Sequence, residues 1–185
     1  CAIDIGQLYA FDMVYYSAIT LAVLSDDTRR QLMEWLPHYR KRGGLVAFDS
    51  NYRPKLWPSQ KAAQASVTEA WSNCDIALPS ADDEMDLFGD ASPAAVQNRI
   101  RQCGVTRGAL KNGPTGPLVF DEGVVIKPLP EADQVVDTTA AGDSFNGGYL
   151  AAIATGQSPG DAAIAGHNTA LHVIAHHGAI VPRNV

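Results

Sequence analysis

Short apolar segments alternate with longer segments that carry helix-capping signals, and this alternation constrains the fold more than any other feature. Met13–Tyr16, Leu45–Phe48, Asp75–Leu78 and Gly108–Lys111 each read as a strand. Ser25 caps a helix with Asp26 and Asp27 in its first turn and Arg40, Lys41 and Arg42 in its last, an order that suits the helix dipole, and Gly43 follows. Pro37 inside it predicts a kink or an early end. Further helices are predicted from near Pro58 to Trp71 and from Ser92-Pro93 to near Cys103-Gly104. Pro117–Asp121 and Val124–Lys127 flank Glu122-Gly123 and read as a hairpin. A helix from near Ala141 ends near Thr155, Gly156 breaks it, and Ser158-Pro159 starts a final long helix. This order predicts an α/β fold with a mostly parallel sheet covered on both faces. Ligands bind such sheets at the carboxyl ends of the strands. The polar runs after Phe48, Leu78 and Val136 lie at such ends.

At 185 residues, 46% apolar and 18% charged, the chain is long enough for one domain with a sizeable core. The net charge of −6 argues against general binding to nucleic acid or an anionic membrane. Any phosphate must then be held by local devices. The longest mostly apolar stretch, Met13–Leu24, contains Ser17 and Thr20 and is too short to span a bilayer. Cys1, Cys74 and Cys103 are widely spaced and form no metal-binding pattern, which points to a reducing cytoplasm. The chain opens at Cys1 without an evident strand–turn–helix unit, which reads as a trimmed chain or as the C-terminal part of a longer protein.

Chemistry concentrates in Val135-Val136-Asp137-Thr138-Thr139-Ala140-Ala141-Gly142-Asp143-Ser144-Phe145-Asn146-Gly147-Gly148. A strand is expected to end at Val136, a loop of small residues to follow, and a helix to begin near Ala141. Small residues let the backbone approach a ligand, and the unpaired amides at a helix start favour an anion. Asp143 falls in the first turn of that helix. An acid repels phosphate, so it is out of place in a plain anion site. In phosphoryl transfer it has a use: a hydroxyl nucleophile needs a base, and the transferring group needs donors for its growing negative charge. The alternative for Asp143 is an ordinary helix-start acid.

The run Asp137 to Leu150 resembles the C-terminal signature of the ribokinase-like (PfkB) carbohydrate kinases. The resemblance implies a ribokinase-like three-layer α/β/α fold, with Asp143 as catalytic base and substrate contact. It implies Ala140, Ala141 and Gly142 as the anion hole, with Ala140 standing where many members have glycine. Phe48-Asp49-Ser50-Asn51-Tyr52-Arg53-Pro54-Lys55-Leu56-Trp57 and Tyr15-Tyr16-Ser17-Ala18-Ile19-Thr20-Leu21 resemble stretches of the family's 2-keto-3-deoxygluconate kinases. They imply Arg53 as the contact for a sugar acid, since a guanidinium donates two parallel hydrogen bonds to a carboxylate; a surface ion pair is the alternative. Asn51 is implied to approach the triphosphate or its metal.

Lys111-Asn112-Gly113-Pro114-Thr115-Gly116 is similar to the family's nucleotide-pocket turn and implies Lys111, Gly113 and Gly116 as ATP contacts, joined by Thr138, Gly142, His167 and Asn168. Glu84, in Asp82-Asp83-Glu84, is implied to organise Mg2+ through water, although Ala81 replaces an expected asparagine. Asp137, with Gly178, is a candidate for a monovalent cation such as K+. His172 and His176 stand four apart with no carboxylate or cysteine beside them, a poor pattern for a metal. Complete relatives are longer at the N-terminus, where a β lid resides, so this chain is expected to lack that part, and the full-length protein is expected to be a homo-oligomer. The implied reaction is ATP-dependent phosphorylation of 2-keto-3-deoxygluconate to its 6-phosphate. A fructokinase-like enzyme and a non-catalytic nucleotide- or sugar-binding module are the alternatives.

Overall fold

The computed structural model describes residues 5–181; Cys1 and the opening of the chain lie outside the described residues. The chain divides into two compact units, Cys1–Arg107 and Gly108–Val185.

In the first unit, β1 (Met13–Ser17), β2 (Leu45–Asp49) and β3 (Ile76–Ala77) form a parallel sheet in that order. The register runs from Met13 opposite Leu45 to Ser17 opposite Asp49. The central strand is buried on both faces: Val46, Ala47 and Phe48 are fully covered, which is why β2 reads as a continuous apolar run. The Phe48 ring meets Trp71 edge-on at 4.6 Å and Tyr16 at 4.9 Å between centroids. Helices α1 (Ala18–Val23), α2 (Asp26–Lys41), α3 (Gln60–Ser72), α4 (Ala81–Phe88) and α5 (Pro93–Gln102) complete the unit. Ser25, Ser59 and Ser92 cap α2, α3 and α5 by accepting an amide hydrogen bond.

Pro37 does not end α2, which continues to Lys41. Packing on both sides of the proline outweighs the missing amide. Leu36 and Tyr39 are buried, Tyr39 stacks on Trp35, and the Tyr39 hydroxyl donates to the Phe11 carbonyl at 2.7 Å.

The second unit pairs β4 (Ala109–Leu110) antiparallel with β5 (Leu118–Val119) and packs α6 (Ala141–Ala154) on α7 (Pro159–Ile174). Glycine makes that seam close. A Cβ on Gly148 would fall 2.9 Å from the Ala165 carbonyl, and one on Gly166 would fall 2.8 Å from the Phe145 carbonyl. Two expectations are corrected. Val124–Lys127 forms no strand, so the hairpin about Glu122-Gly123 is absent; β5 turns back on β4 instead. No strand precedes Asp137 either: the amides of Val136 and Asp137 both donate to the Ile174 carbonyl at the end of α7. Helix α7 stops at Ile174, which leaves His176 and His177 beyond it.

Candidate active site

The start of α6 differs from the other long helices. Ser158 caps α7 as the three serines above cap theirs, but α6 has Ala140 at this position and no side chain bonds its first amides. The Ala140 backbone is left-handed, φ 61° and ψ 14°, which bends the chain so that the helix opens toward the loop. Asp137 shapes that loop. Its Oδ1 accepts from the Thr139 amide at 2.8 Å and its Oδ2 from the Gly178 amide at 2.9 Å, which brings together the two residues considered for a cation. These bonds, to Thr139 first and Gly178 next, hold the Asp137 carboxyl at a pKa of about 2. The Thr138 carbonyl accepts from Ala141, and Thr138 itself is exposed. The amides of Gly142 and Asp143 belong to the first turn, where a helix has no internal acceptor. Asp143 projects from this turn and is exposed.

Lys111 reaches the same place from the end of β4. Its Nζ donates to Asn146 Oδ1 at 2.9 Å, and a Cβ built on Gly142 would lie 3.9 Å from its Cε. The turn after Lys111 requires its glycines, since Gly113 and Gly116 have φ of 53° and 83°. His167 is buried and its Nε2–H donates to the Pro130 carbonyl at 2.8 Å, so its ring nitrogen is engaged in anchoring the loop that leads to Asp137. Asn168 is exposed on α7.

In the first unit, the loop after β2 is tied to α4. Asp83 accepts from the Tyr52 amide at 3.1 Å and from Arg53 Nη1 at 3.3 Å, and the same Nη1 donates to the Tyr52 carbonyl at 2.7 Å. Arg53 is thus half fixed and half exposed. Asn51 has φ 22°, and its buried Oδ1 has no hydrogen-bond partner. Glu84 is fully buried beside Arg99, whose Nη2 reaches its Oε2 at 2.6 Å and Asp90 at 2.6 Å. Burial raises the Glu84 carboxyl to about pKa 7; the charge of Arg99 opposes this, and Ser50 adds a smaller lowering. Glu84 Oε1 is left without a hydrogen bond.

Two participants escaped the sequence reading. Asn146 had a usable signal, since it stands four residues after Gly142 and therefore on the same helix face. Arg99 had none: nothing in an ordinary helix-end arginine announces a buried carboxylate partner 15 residues back.

The class of protein follows from the fold, which is ribokinase-like. Aminoimidazole riboside kinase from Salmonella enterica, in a crystal structure with aminoimidazole riboside and an ATP analog, matches it with a TM-score of 0.79 at 25% identity, covering 90% of this chain and 57% of that chain. More narrowly, the chain belongs to the pfkB family of carbohydrate kinases, whose model matches residues 4–184. The 2-dehydro-3-deoxygluconokinase of Escherichia coli K12 is 44% identical over 182 residues, 96% of this chain, and that of Dickeya dadantii is 41% identical over 95% of it. The chain spans 59% and 58% of the length of these two relatives.

Proposed function

We propose that the protein carrying this chain transfers the γ-phosphoryl group of ATP to the terminal hydroxyl of 2-dehydro-3-deoxygluconate (2-keto-3-deoxygluconate), and that this chain supplies the transfer machinery. The observation that carries the proposal is the start of α6: a left-handed Ala140, first-turn amides with no capping side chain, and Asp143 beside them. Asp143 takes the proton of the hydroxyl as its oxygen attacks the γ-phosphorus; the bond to the β–γ bridging oxygen breaks and ADP leaves. Ala140, Ala141, Gly142 and Asp143 form the anion hole, in which the amides of Gly142 and Asp143, not bonded within the loop as that of Ala141 is, hold the charge that develops on the transferring group. Lys111, Gly113, Gly116 and Thr138 contact the nucleotide, with Asn168 at its base end and His167 behind the loop.

Sugar-acid specificity is assigned to Arg53, whose remaining guanidinium hydrogens suit a carboxylate, and it is supported by the names of the relatives above. Glu84 fits the organisation of a magnesium site through water, because Oε1 is a buried carboxylate oxygen with no donor of its own, and Asn51 Oδ1 is a buried carboxamide oxygen that likewise has no partner. A magnesium ion held there would supply positive charge that offsets the charge of the phosphates. Asp137 and Gly178 remain the assignment for K+. The net charge of −6 keeps nucleic acid and anionic membranes off the list of partners, and among the described residues no helix is long and apolar enough to cross a membrane. Cytoplasmic location and homo-oligomerisation of the intact protein belong to the same proposal.

The test is coupled ADP release from the intact protein with 2-dehydro-3-deoxygluconate, fructose and ribose in turn, beside Asp143→Asn. Turnover with the sugar acid alone, reduced about 100-fold or more in the variant, is expected. Turnover with a neutral sugar instead would sink the substrate assignment, and an active variant would sink the base.

A further inference from the structure

We infer that Asn146 is a positioning residue: its side-chain carbonyl aims the Lys111 ammonium across the first turn of α6, where it meets the terminal phosphoryl group of bound ATP. This rests on the reading of that turn as the transfer site. Asn146 is 1% exposed and lies within α6, so its amide is fixed by the helix that presents Gly142 and Asp143. Lys111 Nζ donates to it at 2.9 Å. The lysine tip also passes beside Gly142, where a Cβ would stand 4.0 Å from Nζ. Gly142 and Asn146 are one turn apart on one face, so the contact holds the cation next to the uncapped amides.

The chemistry of the acceptor matters. An untethered lysine has a long flexible stem and a strongly hydrated head that samples solvent. A carboxylate tether would fix the ammonium and cancel its charge. A carboxamide oxygen fixes it and leaves the charge intact. That charge is useful here, because Asp143 in the same turn repels the phosphate it must work beside. The pair Lys111–Asn146 therefore offsets the base without entering the proton transfer.

The inference is tested by calorimetric binding of ADP and of β,γ-imido-ATP to the intact protein and to Asn146→Ala, Asn146→Asp and Lys111→Met. The wild type should prefer the triphosphate analogue. Each variant should bind the analogue about tenfold more weakly, the scale of one hydrogen bond to a charged group, and keep its ADP affinity. The double variant Asn146→Ala/Lys111→Met should lose no more than Lys111→Met alone, because Asn146 acts through the lysine. Asn146→Asp is isosteric and keeps the test valid if removal of the buried amide unfolds the helix. Equal losses for ADP and the analogue, no loss for either, or additive losses in the double variant would overturn the inference. Turnover retained in Asp143→Asn would instead remove the transfer-site reading, with the Lys111 contact still measured independently.

Discussion

Replacing Ala140 by glycine should stabilise the protein. Glycine weakens a helix interior, but Ala140 is the cap residue of α6, where glycine is preferred to alanine, and its backbone adds a local reason. Ala140 holds φ 61° and ψ 14° at the head of α6. An L-residue with a Cβ there meets the following carbonyl at a cost of about 1–2 kcal/mol. Glycine removes that cost but gives the unfolded chain more freedom, which returns about 0.4–1 kcal/mol. The net gain is about 0.5–1 kcal/mol, or about 1–4 °C in thermal midpoint for a chain of this size. The neighbouring position is the control. Ala141 is the first residue of α6 and has no positive φ, so Ala141→Gly should lose about 0.5–1 kcal/mol. Urea or thermal unfolding of both variants beside the wild type measures the pair. Equal losses in both would refute the reasoning, since Ala140 would then be an ordinary right-handed residue.

Two further outcomes follow from packing and burial. Gly148→Ala should destabilise by about 1–3 kcal/mol, because its Cβ meets the Ala165 carbonyl at 2.9 Å and only the Thr169 hydroxyl, at 2.5 Å, can rotate away; denaturation midpoints equal to the wild type would show that the helices separate freely. Glu84 has a folded pKa of about 7, raised from 4.5, so its contribution to stability is complete below the unfolded value and is lost as pH rises through the folded one. Urea titrations from about pH 5 to pH 8 should therefore show Glu84→Gln losing less stability than the wild type, with a difference approaching ~3 kcal/mol across the window; parallel curves would mean that Arg99 keeps the carboxylate ionised throughout.

What could be read from the sequence was whatever depends on neighbours along the chain. The serine-capped helices begin at or within two residues of their expected starts, because a cap is a local hydrogen bond. Strand β2 was legible because both of its faces are covered. The failures lie where a segment's fate depends on a distant partner. Val124–Lys127 has strand-forming residues, but Pro128 and Pro130 follow it and cannot donate to a ladder, and Val125 is 90% exposed. Val135-Val136 has the same texture, yet its bonds go to the end of α7. The site shows the same division. Asp143 and the glycines after Lys111 were singled out by resemblance to short family motifs, each contiguous along the chain. The pairing of Asp83 with Arg53 across 30 residues, and the burial of Glu84 against Arg99, exist only once the chain has folded.

The glycine seam between α6 and α7 also decides how this chain could be redesigned. A mutational library aimed at new acceptors gains nothing from the positions that line the seam. No volume is available there, and each added methyl would shift the helix that carries Asp143 before any sugar is met. On the assignments proposed above, productive diversity belongs in the other compact unit, around Arg53 and Asp83, where side chains are partly exposed and the backbone is tied by a few hydrogen bonds. A library split in this way would keep the phosphoryl chemistry constant while the acceptor is varied.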